Sequence, residues 1–211
     1  MSTPADIIDL LAGIAPGDPL SVVRDQRPQA RENAQRSFEA LLEPQDPGAF
    51  TLTERYAVAF FVARLHGFTA AAAFYGDLLS DESADLVAVV VDAASSAGTS
   101  GPFGEYREER LRAESTDGLR WRADAQAAAS LGSRLTAAFA HAHLLVLRPR
   151  EARPEALQAL VDAGWGPDDI VSLSQLVSFL TFQLRLAWGL RALAAASART
   201  AAVSTIAPEE A

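Results

Sequence analysis

The stretch TERYAVAFFVARLHGFTAAAAFY, residues 53–75, decides the fold class. No residue pair in it alternates as a half-buried strand would, and its apolar side chains recur at helical spacing. Thr51 or Thr53 is placed to cap a helix that runs to about Leu65. Gly67 supplies a break, and Thr69 opens a second, short helix to Leu79. Ser80-Asp-Glu-Ser83 then reads as the start of another helix, which ends in the small residues before Gly98.

Helix signals continue in both directions. Upstream, Thr3-Pro4 and Asp18-Pro19 each combine a capping side chain with proline at the first helical position. Pro28 disfavours helix at Arg27 and divides this region. From Pro28 to Leu42, the residues Ala30, Ala34, Phe38, Leu41 and Leu42 mark one apolar face, and 44–50 is a turn-rich loop. Downstream, 95–118 is rich in glycine, serine and charge and reads as a long loop or arm. A helix follows from about Ala123 to Leu147, with a bend expected at Gly132. Pro154 opens a short helix closed by Gly164. Pro167, with Asp168 and Asp169 at the positive end of the dipole, begins a long helix to about Ser197. The expected organisation is one all-α domain over 1–200, with a signature region at 53–79 and a disordered tail at 201–211.

Composition narrows the chemistry. The 211 residues carry a net charge of −9 and no cysteine. Without cysteine there is no disulfide, no thiolate metal site and no thiol nucleophile. An acidic chain lacking a concentrated basic stripe is not expected to bind nucleic acid. The N-terminal MSTPADIIDLLAG has acids where a signal peptide would have lysine or arginine. The apolar stretch from Ile170 to Ala196 is interrupted by Gln175, Gln183, Arg185 and Arg191, which makes it a poor membrane span. The expectation is a cytoplasmic protein without cofactor or metal.

Two stretches resemble the carboxymuconolactone decarboxylase and alkylhydroperoxidase D-like (CMD) superfamily. Residues 53–75 are similar to its signature region. LVDAGWGPDDIVSLSQLVSFLTFQLRLAWGLRAL, residues 160–193, is similar to its C-terminal pattern of an Ala-Gly turn, two acids, an isoleucine and a long helix with a central arginine. The resemblance implies an alkylhydroperoxidase D-like helical bundle and a homo-oligomer. Its peroxidase branch uses a Cys-x-x-Cys pair, a relay glutamate and a histidine. Aligned on Glu54, Arg55 and Gly67, the relay glutamate falls at Tyr56, the cysteines at Phe68 and Ala71, and the histidine at Tyr75. Shifted by two residues, Glu54 takes the relay position, and His66 and Thr69 take the cysteine positions. Neither frame supplies a thiol. The decarboxylase branch works without cysteine or cofactor, by acid–base groups.

These positions yield the candidate residues. Glu54, His66, Tyr75 and Arg185 are the groups an acid–base enzyme would use, and Tyr56, Phe68, Ala71 and Tyr75 mark the former redox site. Each also has a packing role to fill. His66 suits a helix's last turn, the tyrosines suit packing with their hydroxyls at the surface, and Arg185 suits an ion pair with an acid such as Glu54. His141 and His143, two residues apart on a helix, point in nearly opposite directions and cannot chelate one metal; one is expected buried or interfacial and the other exposed. Gly101-Pro102-Phe103-Gly104 lacks the Gly-Lys-Ser/Thr of a phosphate loop and reads as an oligomer arm. The segments 38–79 and 156–193 each read as a short helix, a turn and a longer helical region, an order that would fit two remotely similar halves. The functional expectation is a homo-oligomer that has lost the redox site and binds a small organic molecule or a partner, such as a cysteine-bearing relative. The alternative is a cofactor-free lactone decarboxylase-like lyase or isomerase. Large apolar residues on more than one helix face, among them Phe60, Phe61, Phe179, Phe182 and Trp188, support the oligomer.

Overall fold

The computed structural model of the chain describes residues 6–206. Its main helices are α1 (Ile7–Ala12), α2 (Pro19–Asp25), α3 (Pro28–Leu42), α4 (Leu52–Leu65), α5 (Thr69–Ala97), α6 (Ala125–Leu147), α7 (Pro154–Asp162) and α8 (Pro167–Ile206). Two short 3-10 turns lie at Glu109–Glu114 and Pro149–Glu151. Among the described residues there is no strand, only an isolated antiparallel bridge between Gly104 and Thr116. The fold class is all-α.

The centre of the molecule is α4. Its residues from Arg55 to Ala63 are all buried, as expected of a helix apolar all the way round. A capping box starts it: the Thr51 hydroxyl accepts from the Glu54 N–H, and the Glu54 carboxylate accepts from the Thr51 N–H. Gly67, at φ 65°, turns the chain into α5, a backbone region that side chains with a Cβ rarely adopt. α5 packs along α4, and α6 and α8 close over the other sides. Phe61 of α4 stacks on Phe139 of α6, with ring centroids 4.3 Å apart, and meets Trp121 at 5.4 Å.

Several local expectations are corrected. The first helix is capped by Asp6 rather than opened at Thr3-Pro4, which lie outside the described residues. α5 does not restart at Ser80; it runs on and breaks at Ser83 (φ −162°, ψ 84°). The connection after α5 begins only at Gly98 and extends to Asp124, which caps α6. The bend in α6 falls at Gly132, as anticipated, with φ 72°. α8 continues past Ser197 to Ile206, so 201–206 is helical rather than part of an irregular tail. The rest of the expected tail, 207–211, lies outside the described residues. The connection at 98–124 folds back on its own chain: the Phe103 N–H donates to the Leu147 carbonyl at 2.7 Å, and the Trp121 indole donates to Ser96 Oγ at 2.8 Å. By length and composition, Pro167–Ser197 could cross a bilayer, but half of its most apolar window is buried inside the fold.

Candidate functional site

The four acid–base candidates do not converge. Glu54 sits in the first turn of α4 and His66 at its C-cap, twelve residues on, which separates them by about 18 Å along the helix. Glu54 is engaged structurally. Its carboxylate accepts from Arg134 of α6 at 2.8 Å, and Arg134 also donates to the Gly164 and Ala49 carbonyls and lies over the Trp165 ring. Arg185 therefore does not pair with Glu54. Arg185 is exposed on α8, while Arg134 reaches Glu54 because the chain turn after Gly132 brings that face of α6 against the start of α4.

Tyr75 is fully buried, with its hydroxyl donating to Gln183 Oε1. Tyr56 is also buried, at 7% exposure. The Tyr75 phenol does not reach the surface, because the surrounding helices cover it and its hydroxyl is taken by Gln183. Burial raises the pKa of both tyrosines, Tyr75 most strongly, which keeps its hydroxyl a hydrogen-bond donor and not a base. Phe68 and Ala71 are buried as well, and Phe74 sets its ring edge-on to Tyr75 at 5.1 Å. The positions that the resemblance assigns to thiol chemistry are thus filled by rings and a methyl group.

His66 and Arg185 do come together, with Phe68, Leu184 and Trp188, around a cleft of about 220 Å³. His66 Nε2 is buried without a partner. Desolvation, and then the Arg185 charge, lower the imidazole to about 4 from 6.5, so it is neutral at pH 7. This cleft holds one neutral acceptor and one cation, with no carboxylate or phenol facing it.

His141 and His143 are both buried, against the expectation of one exposed. They do point apart. His141 Nε2 lies 2.9 Å from Ser174 Oγ of α8, while His143 packs beside Trp121. α6 is covered on both sides, by α8 on one and by the returning connection on the other, so neither face is left to solvent. Ser174 and His141 are not a nucleophile and its base. The Ser174 hydroxyl donates to the Ile170 carbonyl at 2.9 Å, which leaves it to accept from the imidazole.

A large concavity was not foreseen. It is an open groove of about 850 Å³ between α6, α7 and residues 120–123. Its floor is mostly alanine methyls, among them Ala137, Ala140, Ala156 and Ala159, with the Trp121 indole at one side. His143 and Thr136 also line it, and both His143 Nε2 and Thr136 Oγ1 are buried without a partner. The other His143 nitrogen bonds the Ala97 backbone, and burial lowers the imidazole's pKa, so Nε2 is a free acceptor. The available signal in the sequence was Thr136, Ala140 and His143 at helical spacing on α6, but the partner wall comes from segments far away in the chain. Among the described residues no cluster of three or more metal-ligating side chains occurs.

Compared with known protein families, with curated proteins and with solved structures, the chain matches none.

Proposed function

We propose that this protein is a non-redox, cofactor-free small-molecule-binding protein that acts as a cytoplasmic homo-oligomer, and that it is a cysteine-free relative of the CMD and alkylhydroperoxidase D-like superfamily. The relationship rests on residues 53–75 and 160–193. The binding role rests on one observation: an apolar groove of ligand size, lined by alanine methyls and the Trp121 indole, with His143 and Thr136 among its lining residues. Ligand sites combine an apolar lining with a few placed polar groups, within a volume of roughly 300–1,000 Å³. The lyase alternative has less support, since its four residues lie in three separate places.

The test uses a neutral apolar fluorophore, N-phenyl-1-naphthylamine. Its fluorescence should rise saturably with the wild-type protein. Ala159→Trp, an exposed position on the groove wall, should weaken that binding by about tenfold or more while leaving the helical circular dichroism intact. Ala140→Trp, from the opposite wall, should do the same. Absence of saturable binding, or equal binding in both variants, would overturn the reading.

A further inference from the structure

The groove ends in a basic cleft. Arg120, Glu151 and Arg153 line both the groove and a second cavity of about 580 Å³, formed with the 98–124 connection. The second cavity gathers five arginines, Arg107, Arg112, Arg120, Arg150 and Arg153, against two acids, Glu105 and Glu151. This is a local positive excess in a chain whose net charge is −9. Much of the acid is already committed: Glu151 pairs with Arg148 and Arg120. Arg150 donates to the Tyr106 hydroxyl and has no acidic partner among the described residues. Arg107, Arg112 and Arg153 have no acidic partner among the described residues. On the groove side, Glu155 and Asp162 stand at the α7 rim, and Asp162 accepts from Gln158 at 2.8 Å.

Resting on the binding role proposed above, we infer that the ligand is a small amphipathic anion, with an apolar body along the alanine floor, a carboxylate or phosphate in the arginine cleft, and Arg153 at the junction of the two. A guanidinium fork matches the planar carboxylate, and a charge-assisted bond of this kind is about twice as strong as a neutral one. Asp162, at the end of α7 away from Arg153, sets the orientation, since a head group placed at that end would meet its carboxylate.

The probes are decanoate and 1-decanol, which share an apolar chain and differ in charge. Both are used below micelle-forming concentration to displace N-phenyl-1-naphthylamine from the wild-type protein. Decanoate should displace it at a concentration lower by about tenfold or more. The double variant Arg107→Gln/Arg112→Gln changes two exposed side chains that line the arginine cleft and not the groove; it should erase that preference and leave fluorophore and decanol binding unchanged. The preference should also shrink in high salt. Equal displacement by the two probes, or a preference that survives the double variant, overturns the anionic ligand while the groove stands. Failure of the fluorophore itself to bind overturns the proposed function instead.

Discussion

At the scale of single residues, Phe68 carries the clearest energetic consequence. Its ring is 5% exposed and lies between the α4–α5 turn and α8, with the Arg191 guanidinium 5.7 Å from its centroid. Truncating a buried phenylalanine removes its transfer energy and leaves a cavity, so Phe68→Ala should lower stability by about 3–5 kcal/mol. A surface ring would cost under about 0.5 kcal/mol. A urea midpoint unchanged by the substitution would show that the ring is not part of the core. The same scale explains why the histidines were misjudged from the sequence. Spacing fixes the direction in which His141 and His143 point from their helix, and that direction was legible. Whether a neighbour covers each face was not, because the coverings are Ser174, 31 residues beyond His143, and Trp121, on the other side of α6.

At the scale of elements, α4 is held at its N-terminus by a carboxylate with two duties. Glu54 closes the capping box with Thr51 and binds Arg134 of α6, with only 13% of its side chain exposed. Loss of a cap costs about 1 kcal/mol, and a partly buried ion pair adds to it. Glu54→Ala should therefore cost about 1–2 kcal/mol by equilibrium denaturation. A double-mutant cycle with Arg134→Met should give a coupling of at least about 0.5 kcal/mol. Additive single effects would mean that the bridge contributes nothing. Thr51 was visible as a cap because the cap is local. The Arg134 bridge was not, since it joins residues 80 positions apart. The division of the chain into elements was readable from Pro19, Pro28, Gly67, Pro154 and Gly164, whose backbone restrictions do not depend on context. The break in α5 slipped from Ser80 to Ser83 because serine only weakens a helix, and packing chooses where it gives way.

At the scale of the whole molecule, α8 leaves an apolar stripe uncovered. Val171, Phe182 and Leu193 follow one another at intervals of eleven residues, three helical turns, and are 55%, 49% and 48% exposed. Trp188, at 64%, lies to one side. A stripe that spans six turns of one helix fits a second copy laid alongside it, and self-association of this kind is the commonest form of oligomer. Light scattering at micromolar concentration should give a mass well above the 22.4 kDa of one chain. Phe182→Glu combined with Val171→Glu should return it to that value. A wild-type mass near 22.4 kDa would remove the oligomer from the proposed function without touching the groove.

What the sequence alone determined is the class of element and the class of chemistry. Helical periodicity, proline and glycine placement and capping residues act within a few positions of one another, so they specify an all-α chain without knowledge of its fold. The absence of cysteine excludes thiol chemistry whatever the arrangement. The tertiary structure decided which side chains meet. It gave Glu54 to Arg134, buried Tyr75 against Gln183 across 108 positions, and set the alanine face of α6 opposite that of α7 beside an arginine cleft. Alanine and arginine are common and carry no local signature, so a groove built from them exists only once packing has brought its walls together.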